Sequence, residues 1–528
     1  MSRTDLLFDL RRIVGEHAVC TEDDVLALAA SDVHETGCQP AAVVRPENAE
    51  QTAQCIAIAI KRGYAIAPRG GGLSYTAGYV PQTRRTLTID LRGLSQILDI
   101  SPEDMTITVQ AGVTWKQIYD ALKPAGLRLP FFGTFSGKGA TVGGGLSHGA
   151  LFFGSARYGS AAEIVLGLEV ACADGSLLRT GQGALEVHSK PFLRSFGPDL
   201  TGLFIHDGGT LGVKTEASFR LIKLPPVERF ASFSFPKFED ASRALCCIAR
   251  EDLAEEVYIL DPATTDHLDL DTANKIRTAR SVSKAARSPV TAIKSLIGIF
   301  AAGTRFIPEG HYSLHMTAAG RSKAGTAEDL VRARHIALKA GGTCVAATIP
   351  TVARADLFAH LNGVVGPRGG RWAALNAKVA HSAAIGLIAA FDELAARHED
   401  AMARHGVTIT RLASALSNHS FSFEPVFHWA DEWLPIHRAS MEPGFLKKLK
   451  EPPPNPEARA LVNTLRAETV ELFRRRGAAS NQLGRTYPYF TALKANPSEL
   501  LMTVKHHLDP TGMMNPGVLG FPNTQTRN

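Results

Sequence analysis

Pro68-Arg69-Gly70-Gly71-Gly72-Leu73-Ser74 closes a short apolar stretch, Ala65-Ile66-Ala67, and opens a polar turn. Glycine has no Cβ, so its backbone reaches φ > 0 and its N–H groups come close to an anion; a row of them makes a nest for phosphate oxygens. Arg69 and Ser74 add a cation and a hydroxyl at the rim. A single glycine run suits a plain surface turn just as well. What favours the nest is repetition of the device, at Gly143-Gly144-Gly145 and at Gly208-Gly209-Thr210-Leu211-Gly212.

Outward from this loop the chain reads as alternating elements. Ala41-Ala42-Val43-Val44 is a strand, and the segment opened by Asn48 and closed by Gly63 is a capped helix, so Ala65-Ile66-Ala67 completes a βαβ unit. It is not the first turn of a dinucleotide fold, because no G-x-G-x-x-G occurs in this half. Thr86 to Leu91 and Thr106 to Gly112 are β-rich, Trp115 to Leu122 is a short helix stopped at Pro124, and 133–159 carries neither helical nor strand periodicity. So long an unpatterned stretch in a compact domain points to a ligand. A hairpin turning at Asp174-Gly175 and a strand from Val213 to Leu221 lead to Pro225-Pro226, a boundary beyond which glycine loops thin out. There Phe230 to Phe235, Ser313 to Met316, Trp372 to Val379 and Phe421 to Phe427 are expected to form one antiparallel sheet with helices between its strands. A charged helix (Glu457 to Arg476), a helix from Ser498 to Leu508 and two tight turns end the chain.

With 528 residues, 45% apolar and 20% charged, the chain is long enough for two or three cores, and its formal net charge of +6, without Lys/Arg runs among aromatics, gives nucleic-acid binding little support. The seven cysteines show no CxxC or metal-finger spacing and read as reduced thiols of a cytoplasmic protein. Charges interrupt the N-terminal segment, so neither a signal peptide nor a membrane span is expected. From Lys275 to Arg305 the chain is basic, with Ile293, Leu296, Ile297 and Phe300 on one helical face. That pattern fits a weak peripheral membrane contact or a solvated basic face packing its stripe on its own domain.

The ordered loops at 68–74, at Gly139 to Gly145 with Phe153-Gly154 through Arg157-Tyr158-Gly159, and at 208–212 resemble the FAD-binding domain of the vanillyl-alcohol oxidase / p-cresol methylhydroxylase flavoproteins. Lys505-His506-His507-Leu508-Asp509-Pro510-Thr511-Gly512-Met513-Met514-Asn515-Pro516-Gly517 is similar to the closing motif of FAD-linked oxidases of glycolate oxidase and D-lactate dehydrogenase type. The resemblance implies an α+β fold: an FAD-binding domain of two α/β subdomains over 1–224, a cap of antiparallel sheet plus helices over 225–480, and a C-terminal segment, 481–528, returning to the first domain. It assigns Arg69, Gly70, Gly71, Gly72, Leu73 and Ser74 to the pyrophosphate, and Thr134, Thr141, Gly143, Gly144, Ser147 and Gly154 to the ribityl chain and ring edge. Gly209, Thr210, Gly212 and Val213 fall to the adenosine side, and Asn515 to the flavin. Where some members carry a flavin-linking histidine in the first loop, this chain has Leu73. A second type of linkage uses a cap histidine in a setting like that of His419, at looser spacing here, so FAD is expected to be held non-covalently. The metal-binding H-x-x-G-D-G-N-x-H of related D-2-hydroxy-acid dehydrogenases is missing, and no metal is expected.

Oxidising an alcohol on flavin needs a base and a holder for the substrate's polar end. His311 and His315 share a face of one strand, a face that equally suits the cap surface; Glu424 and His428 share another, as a carboxylate–imidazole couple or a structural pair. Arg371 is a bidentate carboxylate holder or an ordinary surface arginine. Arg485 and Tyr487 are the C-terminal candidates, by similarity to the tyrosine–arginine pair of phenol-oxidising relatives. The leading expectation is dehydrogenation of a small alcohol or 2-hydroxy acid resembling D-lactate or glycolate, with electrons passed to oxygen, a cytochrome or a quinone; the resemblance is compatible with a homodimer. The alternatives are a phenolic alcohol oxidase and a flavin-binding protein acting by association alone.

Overall fold

The computed structural model describes residues 3–187, 191–266, 307–358 and 360–522, and the basic stretch of 275–305 lies outside them. Three sheets organise the chain. In the first, strands Val19–Cys20, Ala42–Val44, Thr86–Asp90 and Ala65–Arg69 lie side by side in that order, parallel except for the first pair. The helix Ala49–Lys61 makes the crossover, started by the Asn48 side chain accepting from the Gln51 amide at 2.8 Å. In the second, Ile97–Ser101, Thr106–Gln110, Val213–Arg220, Val165–Ala171 and Leu177–Arg179 form an antiparallel sheet. Trp115, wholly buried against Phe131 and Phe219, closes its core. The Trp115–Leu122 helix carries a capping box between Thr114 and Gln117.

The third sheet has eight strands in the order Thr343–Val345, Val227–Phe235, Tyr312–Gly320, Glu256–Leu260, Thr408–Leu416, Ser420–Trp429 and Arg371–Ala374, with Ala377–Ala380 also on Ser420–Trp429. Alternation gives it two unlike faces. Phe233, Phe235, Leu314, Met316, Phe421, Phe423 and Phe427 join one apolar core with helices Phe238–Arg250, Ala384–Ala396 and Pro456–Arg475. Ser232, His315, Thr317, Ser422 and Glu424 fall on the opposite face. That polar face turns toward the first two sheets: Tyr258 stacks on Phe153 at 5.5 Å, and Tyr75 meets Trp372 at 5.5 Å.

Two expectations are corrected. The stretch 133–159 holds two short helices, Val142–His148 and Ser155–Tyr158. Residues 372–379 are not one strand, because the ladder breaks at Leu375-Asn376. Leu375 donates to the Pro425 carbonyl at 3.0 Å, but Pro425 has no N–H to return. Register is kept across the break, with Ala374 opposite Val426 and Ala377 opposite Phe423, which puts Asn376 opposite Glu424.

A buried ion cluster joins the sheets. Arg128 meets Glu255 at 2.6 Å, and Arg354 meets Glu255 at 2.6 Å, Glu228 at 2.9 Å and Glu256 at 3.2 Å. Both guanidiniums lie over the Phe132 ring, that of Arg128 4.5 Å and that of Arg354 4.4 Å from its centre. Three carboxylates face two cations, and burial pushes Glu256 up to about 7. Arg354→Met leaves this cluster without its forked donor and is expected to destabilise the protein by about 3–5 kcal/mol, read from urea unfolding. Arg354→Lys restores little of this, because one ammonium cannot span three carboxylates.

Candidate functional site: the junction of the glycine loops and the cap sheet

The three glycine loops converge on one another and on the returning C-terminus. A Cβ on Gly71 would overlap the Gly139 carbonyl, and one on Gly70 would overlap the Thr141 hydroxyl. Gly72 has φ 71, a conformation an L side chain resists. Gly208 donates to the Ser147 carbonyl at 3.0 Å, which joins the third loop to the second. The strap then crosses both ends. Ile66 N–H donates to Met513 O at 2.8 Å and Asn515 N–H to Ile66 O at 2.9 Å, while the Asn515 amide donates to Gly78 O at 2.7 Å and Gly208 O at 2.6 Å. Lys505 adds bonds to Thr210 O at 2.8 Å and Met514 O at 3.1 Å, held beside Asp509 at 2.6 Å.

Among the described residues the peptide N–H groups of Gly70, Gly71, Gly72 and Leu73 meet no acceptor. Four successive free amides in a loop with no room for side chains fit a dinucleotide pyrophosphate. Arg69 takes no part through its side chain: its guanidinium is buried, donates to Ser31 O at 2.8 Å and lies over Tyr79. Ser74 bonds Thr76 at 3.0 Å, and Leu73 packs toward Val364, Val365 and Trp433. Thr141 caps the Val142–His148 helix, bringing Gly143, Gly144 and Ser147 to the junction, and Thr134 bonds Ser136 at 3.2 Å. Gly154, with φ 93, starts the Ser155–Tyr158 helix. Gly209 and Thr210 fold back on Asp207, and Gly212 packs on Val170 where Val213 opens its strand. His419 is exposed in the turn between Thr408–Leu416 and Ser420–Trp429.

Most of the expected catalytic side chains are committed to protein partners. Arg371 pairs with Asp431 at 3.0 Å, donates to His34 O and lies over Trp429; burial brings it down to about 10. Arg485 donates to the carbonyls of Ala77, Val80 and Pro516, and burial likewise brings it down to about 10. Tyr487 accepts from the Asn376 amide N–H at 2.8 Å, and burial raises its phenol. His311 bonds Ser234 at 2.9 Å. His315 is fully buried between Ser232 at 2.8 Å and Ser313 at 2.9 Å, and burial takes it down to about 3. His428 bonds Thr410 at 2.8 Å. Residues i and i+4 of a strand stand about 13 Å apart, so sharing a face does not make a couple of His428 and Glu424.

Glu424 stands apart. On the polar face of the cap sheet, its carboxylate makes no hydrogen bond or ion pair among the described residues, and burial pushes it up to about 7. Around it are groups that sequence reading did not single out. Asn376, opposite in register, has a buried side-chain amide N with no acceptor, and the Tyr75 hydroxyl accepts from Gln482 at 3.0 Å. At the loop junction, His148 and His206 are both held neutral, each near about 4, by burial first and then by nearby cations, Lys214 for His148 and Lys378 for His206. His148 Nδ1 and His206 Nε2 are buried without partners. The signal for Asn376 was the strand parity of 372–379; nothing local marked Tyr75 or Gln482.

Among the described residues no cluster of three or more His, Cys, Asp or Glu side chains is set to hold a metal ion, and no helix is long and apolar enough to cross a membrane. Residues 40–181 match the FAD binding domain family. The glycolate oxidase subunit GlcD of Bacillus subtilis (strain 168) is 31% identical over 230 residues, 44% of this chain and 46% of that protein. D-lactate dehydrogenase (cytochrome) 1, mitochondrial, of Saccharomyces cerevisiae is 29% identical over 206 residues, 39% of this chain and 33% of that protein. The chain thus spans about half or less of the length of these curated relatives. In fold, p-cresol methylhydroxylase with substrate bound matches with a TM-score of 0.73 at 20% identity, over 98% of this chain and 96% of that one. The 4-ethylphenol oxidase of Gulosibacter chungangensis matches with 0.72 at 16% identity, over 99% and 98%. Residues 40–181 are therefore an FAD binding domain, and the chain as a whole has the fold of the p-cresol methylhydroxylase-type flavoproteins.

Proposed function

We propose that this chain is an FAD-dependent oxidoreductase that dehydrogenates the CH–OH group of a small 2-hydroxy acid or alcohol, built as an FAD-binding domain (1–224), a cap (225–480) and a returning segment (481–528). The observation that carries the reading is Glu424, a half-buried carboxylate without a protein partner among the described residues, on the face of the cap that looks toward the glycine loops. FAD, when bound, supplies the hydride acceptor. The free amides of residues 70–73 hold its pyrophosphate, and Leu73 puts no nucleophile at that position. Glu424 takes the hydroxyl proton, its raised pKa matching a base that works near neutrality. The unpaired side-chain amide of Asn376 donates to the substrate oxygen, and Tyr75 with Gln482 closes the pocket from the first loop.

The names of the sequence relatives, glycolate oxidase and D-lactate dehydrogenase, favour a hydroxy acid. The phenolic reading draws less support, because Arg485 and Tyr487 are tied into the backbone.

The test is anaerobic addition of D-lactate, glycolate and vanillyl alcohol to the FAD-loaded protein, read at the oxidised flavin band near roughly 450 nm; a hydroxy acid is expected to bleach it. The rate should rise with pH through about 7, as Glu424 loses its proton. Glu424→Gln should lower kcat by about 10²–10⁴-fold and remove that limb of the profile in stopped-flow measurements. Gly71→Ala, whose Cβ would meet the Gly139 carbonyl, is expected to yield protein without the flavin band after reconstitution, while its far-ultraviolet circular dichroism stays near wild type.

A further inference from the structure

We propose that Lys378 anchors an anionic group of the substrate, so that the site selects a carboxylate-bearing compound over its uncharged counterpart. This rests on the reading of the site given above and adds the feature of the ligand that Lys378 recognises. Lys378 lies on Ala377–Ala380, opposite Ser422. Its neighbours Ala377 and Val379 join the apolar core with Phe421 and Phe423, so Lys378 projects from the polar face that also bears Glu424. Its charge is felt at the loop junction, where it lowers the pKa of His206, and Glu163 acts on it in turn.

The ammonium has no protein counter-ion there. Arg128, Lys214, Arg354, Arg371 and Lys505 are all buried and each pairs with a carboxylate, while buried Arg69 and Arg466 donate to backbone carbonyls instead. The Lys378 ammonium, among the described residues, has no carboxylate at ion-pair distance and no hydrogen-bond acceptor, although the backbone N–H of this residue donates to Ala479 O at 2.7 Å. The acidic group whose charge it feels, Glu163, is already engaged by the Ser160 amide and hydroxyl, both at 2.7 Å. Glu424 shares the face but makes no pair with Lys378, although strand neighbours on the diagonal stand only about 7–8 Å apart. A base and a cation on one face that do not neutralise each other leave room for a ligand that touches both, with its hydroxyl at Glu424 and its charge at Lys378. Burial brings the Lys378 ammonium down to about 8, the direction expected of a cation awaiting its anion.

The probe is oxalate, a small dianion with no hydrogen to give up, compared with its uncharged diamide, oxamide, by calorimetric titration of the FAD-loaded full chain. Wild type is expected to bind oxalate and discriminate against oxamide. Lys378→Met, which keeps the apolar stem, should weaken oxalate binding about ten- to a hundredfold and leave oxamide unchanged, whereas Lys378→Arg should keep the discrimination. Equal oxalate affinity in Lys378→Met and wild type overturns the proposal, as does a wild type that does not tell oxalate from oxamide. The wild-type comparison and Lys378→Arg decide the matter if the methionine variant does not fold. Bleaching of flavin by a neutral alcohol without oxalate discrimination removes the anchor and keeps the oxidoreductase; oxalate discrimination without bleaching by any hydroxy compound supports the anchor and removes only the oxidoreductase reading.

Discussion

The arrangement depends on one buried carboxamide. Asn515 uses both hydrogens of its side chain on the carbonyls of Gly78 and Gly208, and its backbone N–H on Ile66. Loops that are far apart in the chain are held at a common distance by such polar bonds, among them Gly208 on Ser147 and Lys505 on Thr210 and Met514, since their glycines contribute little side-chain packing. Each such bond is worth only about 1 kcal/mol net, yet an unpaired buried carbonyl costs more than that. Opening the junction therefore means leaving several polar groups unsatisfied at once. Arg485 does similar work, with three carbonyls around one guanidinium. Residues that look like catalysts by type are in this way frame members.

Seen from the cap, the division of labour is sharper. Polar side chains on the inner face of the sheet either bond one another, as His315 does with Ser232 and Ser313, or stand without protein partners, as Glu424 and Lys378 do. Both are half-buried, so their charged ends remain open to a ligand, and the Asn376 amide nitrogen is fully buried without an acceptor, a state that a protein interior rarely tolerates. Where it occurs beside loops whose own amides are also free, the unsatisfied groups describe the shape and charge of what is to be bound.

Much of this frame was legible in the chain. The Asn48 cap and the Thr114–Gln117 box sit where helices begin, and Phe421, Phe423 and Phe427 announce one face of a strand by their spacing. The Val142–His148 helix was illegible because three consecutive glycines argue against any helix at about 1 kcal/mol each. Tertiary contact decides there: the Thr141 cap and the tight fit of Gly145 against Trp115, where a side chain would collide. At the site, Glu424 could be found from strand alternation, but the loss of Arg371, Arg485 and Tyr487 to other partners could not. Their partners, Asp431, Pro516 and Asn376, become neighbours only through the fold. Lys378 was hidden for the opposite reason, since what distinguishes it is a partner it lacks.

The packing of Arg128 and Arg354 over Phe132 also bears on how such a protein can change over generations. Its charges come from separate stretches of chain around 128, 228, 255 and 354, and loss of either arginine leaves three carboxylates facing a single cation. Mutational effects within the cluster are then non-additive, and drift at the two arginines is the most constrained, since each loss strands carboxylates that the other cannot neutralise. A cap grafted onto a different nucleotide-binding half would bring Glu255 without Arg128 to meet it. An exchange on the polar face of the sheet, where Glu424 and Lys378 make no such pair, disturbs no comparable set of charges.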